Sequence, residues 1–171
     1  MEPSELSTPY TLKVEHEELH GELKNAIASG GATGEAAKEV ASVLHPHFVK
    51  EEEYAMPLLG LLYVLTKENT SSRGSQRRQT EPGLLNIEPQ VREMAISMSD
   101  RLEEDLSNML EEHKTIVATL DKLKAAAAAE NKKEQAHFAE KLVLHAKTEE
   151  EVLYPAAILI GKYLKESHTS R

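Results

Sequence analysis

The chain contains no cysteine, which excludes disulfides, Cys-ligated zinc and iron–sulfur clusters as intrinsic features. Tryptophan is absent and aromatic residues make up only 4% of the 171. That leaves a core of Leu, Ile, Val, Ala and Met, a composition suited to packed helices. Positive charge is also short: the formal net charge is -9. A nucleic-acid partner would call for a basic face, and anionic lipid would too, so neither partner is expected. The most apolar run, Ala55 to Leu65, is too short to span a bilayer. Residues Met1 to Leu12 carry acids and prolines where a signal sequence would be basic and then apolar. The expectation is a soluble cytoplasmic protein, a monomer or weak oligomer. Any metal would have to rest on histidine and carboxylate, and the chain has 8 His and 29 Asp plus Glu.

Helical periodicity runs in four blocks and nothing reads as a strand, since bounded period-two alternation is absent. The first block starts near Pro9, with Thr8 as its cap and Pro9 in the first helical position. It ends at Ser29-Gly30-Gly31. The second runs to Lys67. The polar stretch that follows lacks periodicity and reads as a mobile linker over residues 68–88. The third block starts at Pro89, runs through the helix-favouring alanines 125–129 and breaks near Glu130-Asn131. The fourth ends near Lys165. The expected fold is all-α, a four-helix bundle in one domain over residues 1–171, built of helix pairs 9–67 and 89–166. Pro46, Pro57 and Pro155 lack the helical N–H and should bend their helices locally.

The two pairs repeat one another. His47-x3-Glu51-Glu52-Glu53-x3-Pro57 returns as His145-x3-Glu149-Glu150-Glu151-x3-Pro155, and Glu15-His16 returns as Glu112-His113. At about 100° per residue, His16 falls near the middle of the stripe Leu12, Leu19, Leu23 and Ile27. His47 centres the stripe Val40, Val43, Leu44, Leu58, Leu61, Leu62 and Leu65, with Glu51 one turn on. His113 centres Leu102, Leu106, Met109, Leu110, Val117 and Leu120. His145 lies among Phe138, Leu142, Val152, Ala156 and Ile160, with Glu149 one turn on. His45 and His137 point elsewhere, and Glu52, Glu53, Glu150 and Glu151 read as solvated faces.

Burying a carboxylate in an apolar seam is expensive unless it is paired or holds a metal. Four imidazoles and two carboxylates converging in register predict a dinuclear centre, with the histidines as terminal ligands and the glutamates as bridges. Spacing alone leaves the metal open, because Fe, Mn and Zn all accept this donor set. A bundle that keeps the pattern without binding metal is the bland alternative.

His16, His47-x3-Glu51, His113 and His145-x3-Glu149 resemble the hemerythrin family in its broad form, the HHE cation-binding domain, over nearly the whole chain. The resemblance implies an antiparallel, up-down four-helix bundle around two iron ions with an oxo or hydroxo bridge, binding or sensing dioxygen, peroxide or a related oxidant. His16, His47, His113 and His145 would be terminal ligands, and Glu51 and Glu149 the bridges. Two departures stand out. Val117 occupies the place of a second histidine on the third helix, and Glu149 stands one residue before the usual aspartate. His20 could supply a further imidazole or be a half-exposed helix residue. Tyr54, one turn past Glu51, could serve the metal or pack the core. The alternatives are a di-iron enzyme, by peroxide decomposition or by ferritin-like oxidase chemistry on Glu17-x2-His20 and Glu134-x2-His137, or an iron-handling, stress-response protein. Relatives that repair iron–sulfur clusters carry a cysteine segment that this chain lacks.

Overall fold

The computed structural model describes residues 6–66 and 87–169, the side chains of residues 168 and 169 excepted. All regular structure among them is helical: α1 (Tyr10–Ala28), α2 (Gly31–Lys50), α3 (Met56–Leu59), α4 (Leu61–Thr66), α5 (Pro89–Ala129), α6 (Lys133–Thr148) and α7 (Tyr154–Thr169). Two wide π-helical turns, Glu51–Ala55 and Glu149–Leu153, join α2 to α3 and α6 to α7. The result is four helical rods: α1, α2 through α4, α5, and α6 through α7. The expected linker falls outside the described residues apart from Ile87 and Glu88. Among the described residues no helix is long and apolar enough to cross a membrane.

Pro9 is itself the N-cap of α1, with ψ at 138° and no side-chain cap bond. Thr8 is therefore not the cap: the extended Pro9 backbone starts the helix one residue later than the sequence suggested. The last helix continues past Lys165 to Thr169.

Each α5-side partner of successive residues on α2 and the turn after it lies earlier in α5: Glu39 with Lys122, His47 with His113, Glu53 with Arg101. Two apolar clusters fill the interior. One gathers Leu19, Leu23, Val40, Leu44, Phe48, Ile116, Leu120, Phe138 and Leu142. The other gathers Tyr54, Met56, Leu58, Leu61, Leu102, Met109, Tyr154 and Leu164. On each rod a single buried histidine lies at or next to the boundary between the two clusters: His16, His113 and His145 stand between them, and His47 stands one residue before Phe48, the last member of the first cluster on its rod. α5 and α7 approach closely at Gly161, where a Cβ would collide with the Ser99 side chain.

The π turns change the register of the seam. In each, one helical turn holds an extra residue, so Met56 N–H reaches back to the Glu51 carbonyl and Tyr154 N–H to that of Glu149. Beyond the turn the inward face is displaced by that residue. Leu62 and Val152, placed on the stripes by uniform α geometry, are 42% and 56% exposed, while Tyr154, Ala157 and Leu164 turn inward.

The Glu130–Lys132 turn between α5 and α6 clasps the turn between α1 and α2. The Glu130 carboxylate accepts from Ala32 N–H (2.8 Å), Thr33 N–H (3.2 Å) and Thr33 Oγ1 (2.6 Å), capping α2 from outside its own sequence. Lys132 Nζ donates to the carbonyls of Ser29 (2.9 Å) and Gly30 (2.7 Å) at the end of α1. Gly31, at φ 64°, leaves the room for Glu130 that a side chain would take. The hydrogen bond from Lys132, then those from Thr33 and Ala32, hold the Glu130 pKa down at about 2. A lowered folded pKa makes the contribution full above the ordinary value of 4.5 and lost as pH falls towards about 2. Glu130→Ala is expected to lower the thermal midpoint by roughly 3 °C at neutral pH. Thermal scans of both proteins should show that gap closing as the buffer is acidified from pH 5 towards 2.

Candidate metal centre

His16, His47, Glu51, His113, His145 and Glu149 are all buried, Glu51 completely. Their inward atoms fall into two groups. One comprises His47, Glu51, His113 and Glu149, the other His16, His145 and Glu149, each offering donor atoms within 4.8 Å of one another. Glu149 belongs to both. Its Oε1 faces His145 Nε2 (2.8 Å) and His16 Nε2 (3.7 Å), and its Oε2 faces His113 Nε2 (3.4 Å). Glu51 is placed in the same way, with Oε1 at 3.2 Å from His47 Nε2 and Oε2 at 4.0 Å from His16 Nε2.

Outer glutamates hold the rings from behind. His47 Nδ1 meets Glu112 Oε2 at 2.8 Å and His113 Nδ1 meets Glu150 Oε1 at 2.9 Å. His145 Nδ1 lies 3.2 Å from Glu15, and His16 Nδ1 3.9 Å from Glu52. A carboxylate only accepts, so an Nδ1 bonded to one carries the hydrogen, and the Nε2 atom is aimed at the centre. The contacts obey the repeat: Glu52 serves His16 as Glu150 serves His113, and Glu112 serves His47 as Glu15 serves His145. Glu52 and Glu150, read from the sequence as solvated, thus lean on histidines of other rods. Wheels drawn one helix at a time do not contain such contacts.

One of these glutamates is itself fixed. Lys50 Nζ bridges Glu112 Oε1 (2.6 Å) and Asp105 Oδ2 (3.1 Å), and Asp105 also accepts from Tyr54 Oη at 2.6 Å. Burial works against the Glu112 charge, but Lys50 and His47 outweigh it and keep the carboxyl below its usual range. Asp105 is held at about 2, where the bonds from Tyr54, Asn108 and Lys50 overcome burial. Tyr54 therefore points away from the inward donor groups. His20 packs edge-on against Phe48, ring centroids 4.9 Å apart, outside both groups, and burial lowers its pKa. Glu17, Glu134 and His137 are exposed.

The tyrosine that reaches the centre is Tyr154. Its Oη donates to Glu51 Oε1 and lies 3.3 Å from His47 Nε2 and 3.2 Å from His113 Nε2. Sequence reasoning misses it: at about 100° per residue, Tyr154 falls about 180° from His145 on a uniform α wheel. The detectable signal was Pro155, six residues after the inward-facing Glu149, where a regular α hydrogen bond cannot form.

The donor set suits a cation. His16 Nε2, His145 Nε2, Glu51 Oε2 and Glu149 Oε1 are buried with no hydrogen-bond partner, a costly arrangement in a protein interior. Burial and then the Glu149 charge push the Glu51 pKa up. Burial acts the same way on Glu149, but the imidazoles of His113, His145 and His16 that face it prevail, and its pKa is well below normal. Burial alone would lower His145, yet Glu149, Glu15 and Glu51 raise it to about 9, and His47 is raised by Glu51 and Glu112 against the same burial.

A raised Glu51 pKa means that folding is penalised as pH climbs above the ordinary value of 4.5. Glu51→Gln keeps an acceptor for Tyr154 and removes the charge. The variant should make the metal-free chain more stable by about 1–2 kcal/mol at pH 8, with the difference vanishing below pH 4.5. Urea unfolding of both chains in chelator, across that pH range, measures this; an equal or lower midpoint for the variant at pH 8 would contradict it.

Comparison with curated proteins and with solved structures returns no significant match. Residues 88–165, which include His113, His145 and Glu149, match the family model of the hemerythrin HHE cation binding domain. The matched stretch is the second helix pair, α5, α6 and most of α7.

Proposed function

We propose that this chain is a non-haem di-iron protein of the hemerythrin-like type, binding or sensing dioxygen or a related oxidant, and that both helix pairs form one antiparallel, up-down bundle around the centre. The observation that carries the reading is the pair of inward donor groups joined by Glu149, with four buried polar atoms lacking any other partner. The reversed order of contacts between α2 and α5 supports the antiparallel arrangement.

His47 and His113 would hold one ion, His16 and His145 the other, with Glu149 and Glu51 between them. When bound, the iron pair supplies electron transfer towards the oxidant. The protein's part is to orient and to exclude. Glu112 and Glu150 fix the His47 and His113 rings, Glu15 and Glu52 lie behind those of His145 and His16, and the apolar clusters on either side keep bulk water out. Phe48 stacks on His16 with ring centroids 4.6 Å apart and closes the second group on its apolar side. Charge balance also favours cations here, since two buried carboxylates face four imidazoles with no lysine or arginine among the inward groups.

Anaerobic loading with ferrous iron, followed by desalting and elemental analysis, should return about two iron ions per chain. A retained content below about 0.2 would sink the proposal. Admitting air to the reduced, loaded protein should change its visible spectrum. Glu112→Ala leaves every inward donor in place but frees the His47 ring, so iron affinity measured by competition with a chelator should drop about 10–100-fold.

A further inference from the structure

The two donor groups are related by the repeat, but Tyr154 is not repeated. The position that matches it at the same offset from the preceding glutamate is Met56, five residues after Glu51 as Tyr154 is five after Glu149. Met56 is buried in the apolar cluster. Only one group therefore has a phenol within reach.

We infer that Tyr154 is a metal ligand, its phenolic oxygen completing the group formed by His47, His113 and Glu51 and making the two metal positions chemically unequal. This rests on the di-iron reading above. Tyr154 Oη, His47 Nε2 and His113 Nε2 form a triangle with sides of 2.8, 3.2 and 3.3 Å. Donor atoms held about 2.0–2.2 Å from one ion stand about 3 Å apart along the edges of its coordination shell. The triangle thus already has the size of one face of such a shell. The fourth atom is at hand, because Oη donates to Glu51 Oε1. Tyr154 and His113 are stacked at 5.6 Å with their ring planes 25° apart, which holds the phenol in place. The π turn is what brings the side chain there.

Binding breaks the Oη–H bond. The proton is released to solvent, and the freed electron pair on Oη forms the bond to the ion. No oxidant or reductant is consumed. The other group has no oxygen donor in the corresponding place, so its ion would keep the more open shell.

Phenolate bound to ferric iron absorbs in the visible, and resonance Raman excitation there enhances ring vibrations of the bound tyrosine. The test uses the full chain loaded with ferrous iron and then oxidised in air, with iron counted in every sample. The wild type and Tyr54→Phe should both show phenolate ring modes, and Tyr154→Phe should lose them while retaining iron. Growth on ring-deuterated tyrosine should shift the modes in the unmutated protein, a check that holds even if Tyr154→Phe folds poorly. Iron bound at full content without tyrosine-derived modes overturns the assignment and leaves the di-iron reading standing. Modes that persist in Tyr154→Phe also overturn it. A chain that takes up no iron overturns both.

Discussion

The burial of two carboxylates against four imidazoles is the constraint on which the rest of this structure depends. Glu51 and Glu149 lie in a layer where water does not compensate their charge, and several of their neighbours' polar atoms go unpaired. Such a layer divides the apolar interior in two, so each cluster must be stable on its own side of it. Aliphatic residues at α spacing achieve this on all four rods. The clasp made by Glu130 and Lys132 secures the end where α1 turns into α2 and α5 into α6, and the contact of Gly161 with Ser99 draws α5 and α7 together on the other side of the polar layer.

The second organising feature is reciprocity between the halves. Each histidine faces a glutamate from a different rod, by a hydrogen bond at His47 and His113, and the four approaches exchange under the repeat. Neither helix pair contains its own complete arrangement: His47 of the first pair depends on Glu112 of the second, and His145 of the second on Glu15 of the first. Symmetry nonetheless stops short of the donors themselves. Lys50 and Asp105 reinforce Glu112, whereas the repeat places Thr148 opposite Lys50. Tyr154 stands on one side alone.

Much of this was legible in the sequence because four histidines and two glutamates lie where α periodicity still holds. His16, His113 and the His47–Glu51 and His145–Glu149 pairs all precede the points where the rods depart from regular geometry, and each is buried as the wheels require. Past Glu51 and Glu149 the same wheels hold only in part: Leu58, Leu61 and Ile160 are buried where expected, but Leu62 and Val152 are misplaced for one reason, the added residue in the turn. The outer glutamates were hidden for another. Which surface carboxylate reaches which ring depends on how rods are set against each other, and a triple-glutamate run carries no mark of it. The Thr8 cap failed because Pro9 has extended backbone geometry, which a list of favourable residues does not convey.

Each π turn is followed by a proline, Pro57 or Pro155, one residue beyond the N–H that closes it. An extra residue in a helix can migrate, because successive N–H groups can exchange one carbonyl for the next and pass the irregularity along. Proline has no N–H to take part in that exchange. The irregularity is therefore pinned from its C-terminal side in both halves. The sliding that would rotate Glu51, Glu149 and Tyr154 away from the centre meets a chemical stop.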